Sequence, residues 1–562
     1  MIRRSIIRWS LLVAALHVAF AESRAQSGSG DDAAIAPLLR ATSSAGTLEG
    51  LRWPRFPDYR RVIDSLYASD GWRPIWTASG RPTRDARDAL GLLRSAGERA
   101  LHAEDYDAAA LERRLGELSS GTPASARDLA WFDMALTVGL LRHVSDVHVG
   151  RVNPRNISVG INVQPKKLDL ARVVRDAVTG HRVASLVRDV EPRFAQYRSL
   201  LAAYARYRAL ADSPLAVVKL ARTAKPGDRF SDAAALRRRL VAFGDLTPVD
   251  AAASARDSAY EVRTAAAVAR FQARHGLAPD SVLGPATVAA INVAPATRAR
   301  QLELAVERIR WLPAFADGPF LVVNVPSFEL YAFDRVGGDG APTLIMNVVV
   351  GKAGAGRATP LFEDEMRYII FRPYWVIPPG ILARETLPAV RRDGGYLARN
   401  DMELFRGDGD NGAAVPATAA NLSRVASGTL GIRQRPGPRN SLGLAKFIFP
   451  NDHNVYLHGT PATELFSLSR RDFSHGCIRL QDPAGLAVWV LRDPAQWSRP
   501  QVEAAMNGTA SRRVDLARPL PVTIYYTTAV VRPGNVIAFY GDVYGHDATL
   551  ERALAKGYPF AP

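Results

Sequence analysis

The sequence predicts an α+β chain of several domains, and three observations predict it. Its 562 residues exceed what one hydrophobic core organises, so two to four domains are expected. Residues 50–220 are rich in Ala, Leu and Arg at helical spacing, as in DARDALGLLRSAGERAL and FAQYRSLLAAYARYRAL. From Phe320 onward apolar residues alternate with period two among β-formers. With 47% hydrophobic and 23% charged residues, the chain has an ordinary globular balance. The expected architecture is a helical scaffold region, a small three-helix module, and an antiparallel β-sandwich-like domain carrying a capping insertion.

Taken in order, MIRRSIIRW and the apolar run LLVAALHVAFA come first, and that run is too short to span a bilayer. Residues 1–25 are therefore expected to be a secretory signal peptide, cleaved after the A-x-A of Ala19 and Ala21 or at Ala25. Arg3-Arg4 matches a twin-arginine signal weakly, which favours the general export route. Residues 26–49, with QSGSGDD, are expected to be a flexible linker. The body of the protein is then exported to the periplasm or cell envelope. No second apolar segment reaches transmembrane length, so no stable membrane span is expected after cleavage. The formal charge of +17 falls to +14 once the signal leaves. The remaining basic residues are spread along the chain, which favours an acidic polymer or surface as partner, and export argues against nucleic acid.

Within the helical region, LYASDGWRPIW and VGRVNPRNIS are expected to be packing and turns. Residues 230–295 form a separate module of three short helices with Gly/Pro turns, where Val262, Ala266, Ala269 and Phe271 make an apolar stripe and His275-Gly276 a helix stop. Strands follow in FLVVNVPSFELYAFD, LIMNVVVG, MRYIIFRPYWVIP and HNVYLHGT. Residues 378–431 interrupt them as a capping lid, and PVTIYYTTAVV with GNVIAFYGDVYG is expected to close the sheet.

Cys477 is the single cysteine of this exported chain, so it makes no intramolecular bridge. A free thiol with a pKa near 8.5 is only about 3% thiolate at pH 7, so a nucleophilic cysteine needs a base or a positive field beside it. His458, which ends NVYLHGT, and His475, in SHGC, both qualify on residue type. Neither has an acidic partner in the motif, which leaves a backbone carbonyl to orient the imidazole. Gly476 lets the backbone approach a substrate carbonyl closely, so the N–H groups of residues 475–477 are expected to form an oxyanion hole.

HGTPATELFSLSRRDFSHGCIRL resembles the signature of the L,D-transpeptidases, the YkuD-type cysteine acyltransferases of the peptidoglycan wall. The likeness extends through TPLF, FRPYWVIPPGIL, PGPRNSLGLAKFIFPN and YGHD and covers most of 318–550. FQARHGLAPDSVLGPATVAAIN resembles the small peptidoglycan-binding domain found on many wall enzymes. The whole layout is similar to large periplasmic members in which that module interrupts the scaffold, so ERIRWLP at 307–313 is expected to pack back onto the first domain. The resemblance implies Cys477 as nucleophile, His458 as base and the Gly459 carbonyl as its orienting group. It also implies Ser474, His475 and Gly476 as the oxyanion turn, and Arg479 as a contact to a substrate carboxylate or a brace for the loop. Gly459 departs from relatives that carry Asp there.

The implied reaction joins donor and acceptor tetrapeptide stems by 3→3 cross-links through a thioester, without cofactor or metal, and implies acylation by carbapenems. Water as acceptor would make the enzyme a carboxypeptidase, and a lipoprotein lysine an anchoring enzyme. Three alternatives stand beside it. A papain-like peptidase is disfavoured because its cysteine precedes its histidine. A metal site of His453, His458, His475 and Cys477 fits no zinc spacing. A wall-binding protein without catalysis is the third.

Overall fold

The computed structural model describes residues 30–557 apart from short breaks at 121–122, 158–162, 164–165, 254–257, 314, 316, 338–339 and 355. The expected signal peptide lies outside the described residues. The linker expectation needs correction, because Gly30–Ala45 is a helix, α1. Ile35 and Leu39, four apart on one face, are buried in the first core, so the stretch is held by packing rather than left free.

That first core surrounds helix α2 (Ala126–Val149), which is buried from Leu129 to Val147 except at Trp131. A helix buried nearly all round belongs at a centre. Its one acidic intrusion near the start, Asp133, accepts hydrogen bonds from Tyr67 Oη (2.6 Å) and from the amides of Ile75 and Trp76. Trp76 and Trp72 are buried here, as the aromatic cluster predicts.

Helix α3 (Ala195–Ala209) leads to the module, which has four helices rather than three: α4 (Ala233–Phe243), the short α5 (Pro248–Ala253), α6 (Val262–Ala273) and α7 (Pro285–Asn292). The predicted stripe is out of phase. Val262 is 80% exposed, whereas Ala265, Val268 and Phe271 are buried and recur every three residues. Gly276, at φ +65, makes the left-handed stop after α6 that other residues adopt only at a cost. Nor is the module separate. Its core continues through Tyr207 of α3, Leu302 and Ile309 of α8 (Pro295–Trp311), and Phe539 near the C-terminus.

Helix α8 returns to the first domain, as ERIRWLP predicts. Glu307 accepts the amide of Val152 (2.9 Å), Arg310 donates to the Arg99 carbonyl, and Glu303 bonds His102 (3.1 Å).

The second half holds a nine-stranded sheet: β1 (Phe320–Asn324), β2 (Glu329–Phe333), β3 (Leu344–Gly351), β4 (Phe362–Phe371), and, beyond an inserted unit, β9 (Ala445–Ile448), β10 (Leu457–His458), β11 (Asp472–Ser474), β12 (Ile478–Leu480) and β13 (Arg512–Tyr525). The order is β11-β3-β12-β10-β9-β4-β13-β1-β2, and β2 also pairs with β3, so the sheet closes on itself. This corrects the sandwich expectation: there is one closed sheet around one core, and three of its pairings, β10–β12, β13–β1 and β11–β3, are parallel. Closure by the last segment holds for its first part alone: β13 lies between β4 and β1, and its parallel pairing with β1 completes the ring. The remainder, β14 (Ala529–Arg532) and β15 (Val536–Phe539), forms a separate hairpin against the helices.

The inserted unit is more regular than the sequence predicts. Strands β5 (Trp375–Val376), β6 (Met402–Arg406), β7 (Ala413–Val415) and β8 (Gly431–Gln434) make a second sheet in the order β5-β8-β6-β7. Ile377, Val390, Leu404 and Ile432 give it a core of its own.

Candidate active site

The site arises from alternation along three adjacent strands. β10 pairs antiparallel with β9 (Lys446↔His458, Phe447↔Leu457) and parallel with β12 (Leu457↔Ile478, His458↔Arg479). Phe447, Leu457 and Ile478 are fully buried in the sheet core. By the period of two, Lys446, His458 and Arg479 stand together on the opposite face, and Tyr456 and Cys477 immediately precede β10 and β12.

His458 is buried, and its Nδ1 donates to the carbonyl of its neighbour Gly459 at 2.5 Å. Holding the proton on Nδ1 leaves Nε2 with the free lone pair. Burial, aided by the positive charges of Arg479 and Lys446, pushes the imidazole down to about 3, so it rests neutral. The segment is fixed by the Gly459 amide, which donates to Ala445 O (2.9 Å). It also lies close against Gly443, at φ +63, where a Cβ would stand 2.6 Å from the Gly459 carbonyl carbon.

Cys477 is half-buried, with Sγ 3.7 Å from the Asn454 carbonyl. Burial holds the thiol above its ordinary value, against hydrogen bonds from the Tyr456 amide and hydroxyl and the charges of Lys446 and Arg479. Tyr456 touches both partners, since its hydroxyl bonds the sulfur while its ring meets the His458 imidazole edge-on at 5.7 Å. The Lys446 ammonium lies 4.2 Å from the centre of that ring. Asp410, from the inserted unit, adds a negative charge felt by Lys446.

The turn before the thiol is tied from several sides. Ser474 Oγ donates to the Cys477 carbonyl (2.5 Å) and accepts the Gly476 amide (3.1 Å). Gly476 has φ +128, a conformation that favours glycine. Its carbonyl accepts from Thr359 Oγ1 (2.8 Å), which in turn accepts the Gly351 amide (2.8 Å), while Tyr544 Oη donates to the Gly351 carbonyl (2.5 Å). TPLF and YGHD therefore brace the turn.

His475 points elsewhere: its Nε2 meets Glu385 Oε1 at 2.9 Å, and Glu385, in the inserted unit, also pairs with Arg357 (3.0 Å). Arg479 is partly buried, and loss of water lowers its pKa against the pull of Cys477 and Glu464. The four residues weighed as a metal site have other engagements. His453 packs on Phe362 (4.9 Å), and among the described residues no three His, Cys, Asp or Glu side chains are gathered as ligands.

Sequence reasoning missed Lys446, Tyr456, Gly443, Thr359, Glu385 and Asp410. The first two were readable as the outward positions of AKFIF and NVYLH. Glu385 and Asp410 come from the insertion expected as a lid, and no local pattern tells which of its residues reach the site.

This geometry coincides with a family match. Residues 318–524 match the model described as the L,D-transpeptidase catalytic domain. The chain carries an L,D-transpeptidase catalytic domain. Residues 231–291 match the model described as "Putative peptidoglycan binding domain", and residues 61–203 that of a scaffold domain. A Haemophilus influenzae protein described as "Putative L,D-transpeptidase" is 28% identical over 254 residues, 45% of this chain. The match spans about half the length of that relative, 49%. A crystal structure of the L,D-transpeptidase (residues 123–326) from Xylanimonas cellulosilytica covers 55% of this chain and 100% of its own at 18% identity. Its TM-score is 0.17. Among the described residues, no helix is long and apolar enough to cross a membrane.

Proposed function

We propose that the protein is a cysteine acyltransferase of the cell envelope that joins peptidoglycan stem peptides by 3→3 cross-links. The observation that carries this reading is the single thiol sharing one sheet face with a neutral, backbone-oriented imidazole, within an L,D-transpeptidase domain.

His458 Nε2 takes the proton of the Cys477 thiol, and the Tyr456 hydroxyl and the Lys446 charge stabilise the sulfur anion. The thiolate attacks the carbonyl carbon of the donor's third residue. The Gly476 amide is already spent on Ser474 Oγ, so the amides of His475 and Cys477 are the donors assigned to the oxyanion. Collapse breaks the amide bond, and His458 returns its proton to the departing D-Ala amine, leaving a thioester. The side-chain amine of an acceptor's third residue then attacks. It loses a proton to His458, a new amide forms, and the thiolate leaves and is reprotonated. Arg479 is assigned to the donor's carboxylate or to bracing the loop.

Incubation with disaccharide tetrapeptide, followed by mass spectrometry, tests the reading. Cross-linked dimers and free D-Ala are expected, and both vanish in Cys477→Ala. D-Ala without dimers assigns water as the acceptor instead, and neither product refutes the proposal.

A further inference from the structure

A cavity of about 840 Å³ lies away from the thiol, walled by three parts of the chain: α3, the α4–α6 region of the module, and the β14–β15 hairpin. Five arginines line it, Arg198, Arg206, Arg270, Arg274 and Arg532, with Asp245 as the one acidic lining residue. That carboxylate is already used: Arg274 grips both its oxygens, Nε to Oδ1 at 2.7 Å and Nη2 to Oδ2 at 2.5 Å, and the pair is buried. Arg532 pairs with Glu329 (2.7 Å). The other three carry no carboxylate partner among the described residues. Arg270 donates to the Asp245 main-chain carbonyl (2.8 Å), Arg206 to that of Phe243, and Arg198 is exposed.

The cavity is built rather than incidental. Gly244, at φ +81, lets the Arg206 guanidinium lie against the turn, since a Cβ there would be 3.1 Å from it. Ser199 of α3 bonds Asn535 of the hairpin (2.9 Å), and the Arg274 carbonyl accepts the Phe539 amide (2.8 Å), which fastens the three walls together. The floor is apolar, with the Tyr207 and Phe243 rings 6.1 Å apart. Three uncompensated guanidinium groups over an aromatic floor suit a ligand with carboxylates on an otherwise uncharged frame.

We infer that this pocket is a second binding site, separate from the thiol, for the carboxylate groups of peptidoglycan stem peptides. The inference rests on the proposed reading that the wall is the partner. It places the holding of wall material in a pocket that the module forms jointly with the scaffold and the C-terminal hairpin, instead of on the module alone.

Two variants of the full chain test it: Arg198→Glu, which reverses an exposed charge, and Ala202→Glu, which brings a carboxylate into the pocket at an exposed lining position and removes no existing bond. Sedimentation with insoluble peptidoglycan is compared for native material and for material whose carboxylates are amidated. Each variant is expected to bind native peptidoglycan about tenfold more weakly than wild type, the loss of one charged hydrogen bond. Wild type is expected to bind amidated material as weakly as the variants bind native material. Turnover of soluble disaccharide tetrapeptide stays at the wild-type rate in both variants, which sets this test apart from that of the catalytic reading. Absence of turnover in wild type sinks the catalytic reading alone. Equal sedimentation of wild type and Ala202→Glu, or indifference to amidation, overturns the pocket assignment. So does binding of poly-glutamate by wild type when peptidoglycan sediments all three chains alike.

Discussion

Replacing Gly443 by alanine probes the support of the imidazole directly. A Cβ at this position would lie 2.6 Å from both the Gly459 carbonyl carbon and the Thr460 amide nitrogen, backbone atoms of the segment whose carbonyl orients His458. Ordinary contact begins at 3.4 Å, so one of the two segments has to move by about 0.8 Å. The left-handed φ of +63 costs an alanine about 1 kcal/mol by itself, and overpacking against backbone adds about 1–3 kcal/mol. Gly428 is the internal control, at φ +76 with nothing within 4 Å of its Cβ position, so Gly428→Ala bears only the backbone cost. Urea midpoints by far-UV circular dichroism, together with turnover of disaccharide tetrapeptide, separate the two contributions. Displacing a general base by close to 1 Å costs on the order of a hundredfold in rate. Gly443→Ala is therefore expected to be folded, less stable than Gly428→Ala, and slower by about that factor, while Gly428→Ala turns over normally. A Gly443→Ala protein as stable as the control and within about twofold of wild-type turnover refutes the argument.

Because burial holds Cys477 above its ordinary value and His458 protonates only near pH 3, alkylation of the single thiol should accelerate steadily with pH across the neutral range. A plateau by pH 7 contradicts this. Lys446→Met removes a charge that favours the thiolate, so the same curve should move to higher pH. Glu385→Ala frees the inserted unit from His475 and Arg357, and limited proteolysis within 378–431 should become several-fold faster. An unchanged nicking rate means these bonds do not hold the unit down. A carbapenem should add one drug mass to folded wild type and none to Cys477→Ala, read by intact-protein mass spectrometry.

What local pattern specifies was readable from the residues. The alternation in NVYLHGT puts His458 at the end of a strand, SHGC reads as a tight turn and Cys477 lies in one just before β12, and the gap in acidic partners points to a backbone carbonyl for the imidazole, where the Gly459 oxygen lies. What depends on the return of distant chain was not. Whether two sets of strands stack or one sheet closes is decided by the β2–β3 pairing and the parallel β13–β1 pairing, and period-two alternation is the same in both cases. The module stripe failed for a related reason. In an alanine-rich helix such as VRTAAAVARFQA several phases are nearly equally apolar, and the neighbours in α3 and the hairpin select the buried one. Residues 30–45 look like a linker because Ser and Gly precede them and Gly30, Asp31 and Asp32 open them, yet Ile35 and Leu39 find a core already made by α2.

Helix α8 ties the first domain to the C-terminal segment: Gln301 bonds the Thr528 and Tyr540 carbonyls, Glu303 reaches His102, Arg308 grips Asp547, Arg310 reaches Arg99, and strand β1 begins nine residues after the helix ends. A beam pinned along its length does not swing. Wall material held in the arginine pocket would thus stand at a set distance from the thiol, and the stems within reach would be chosen by measurement from that hold rather than by diffusion of a tethered domain. Lengthening or cutting the beam would alter where along a glycan strand new bridges fall, without any change in the chemistry that makes them.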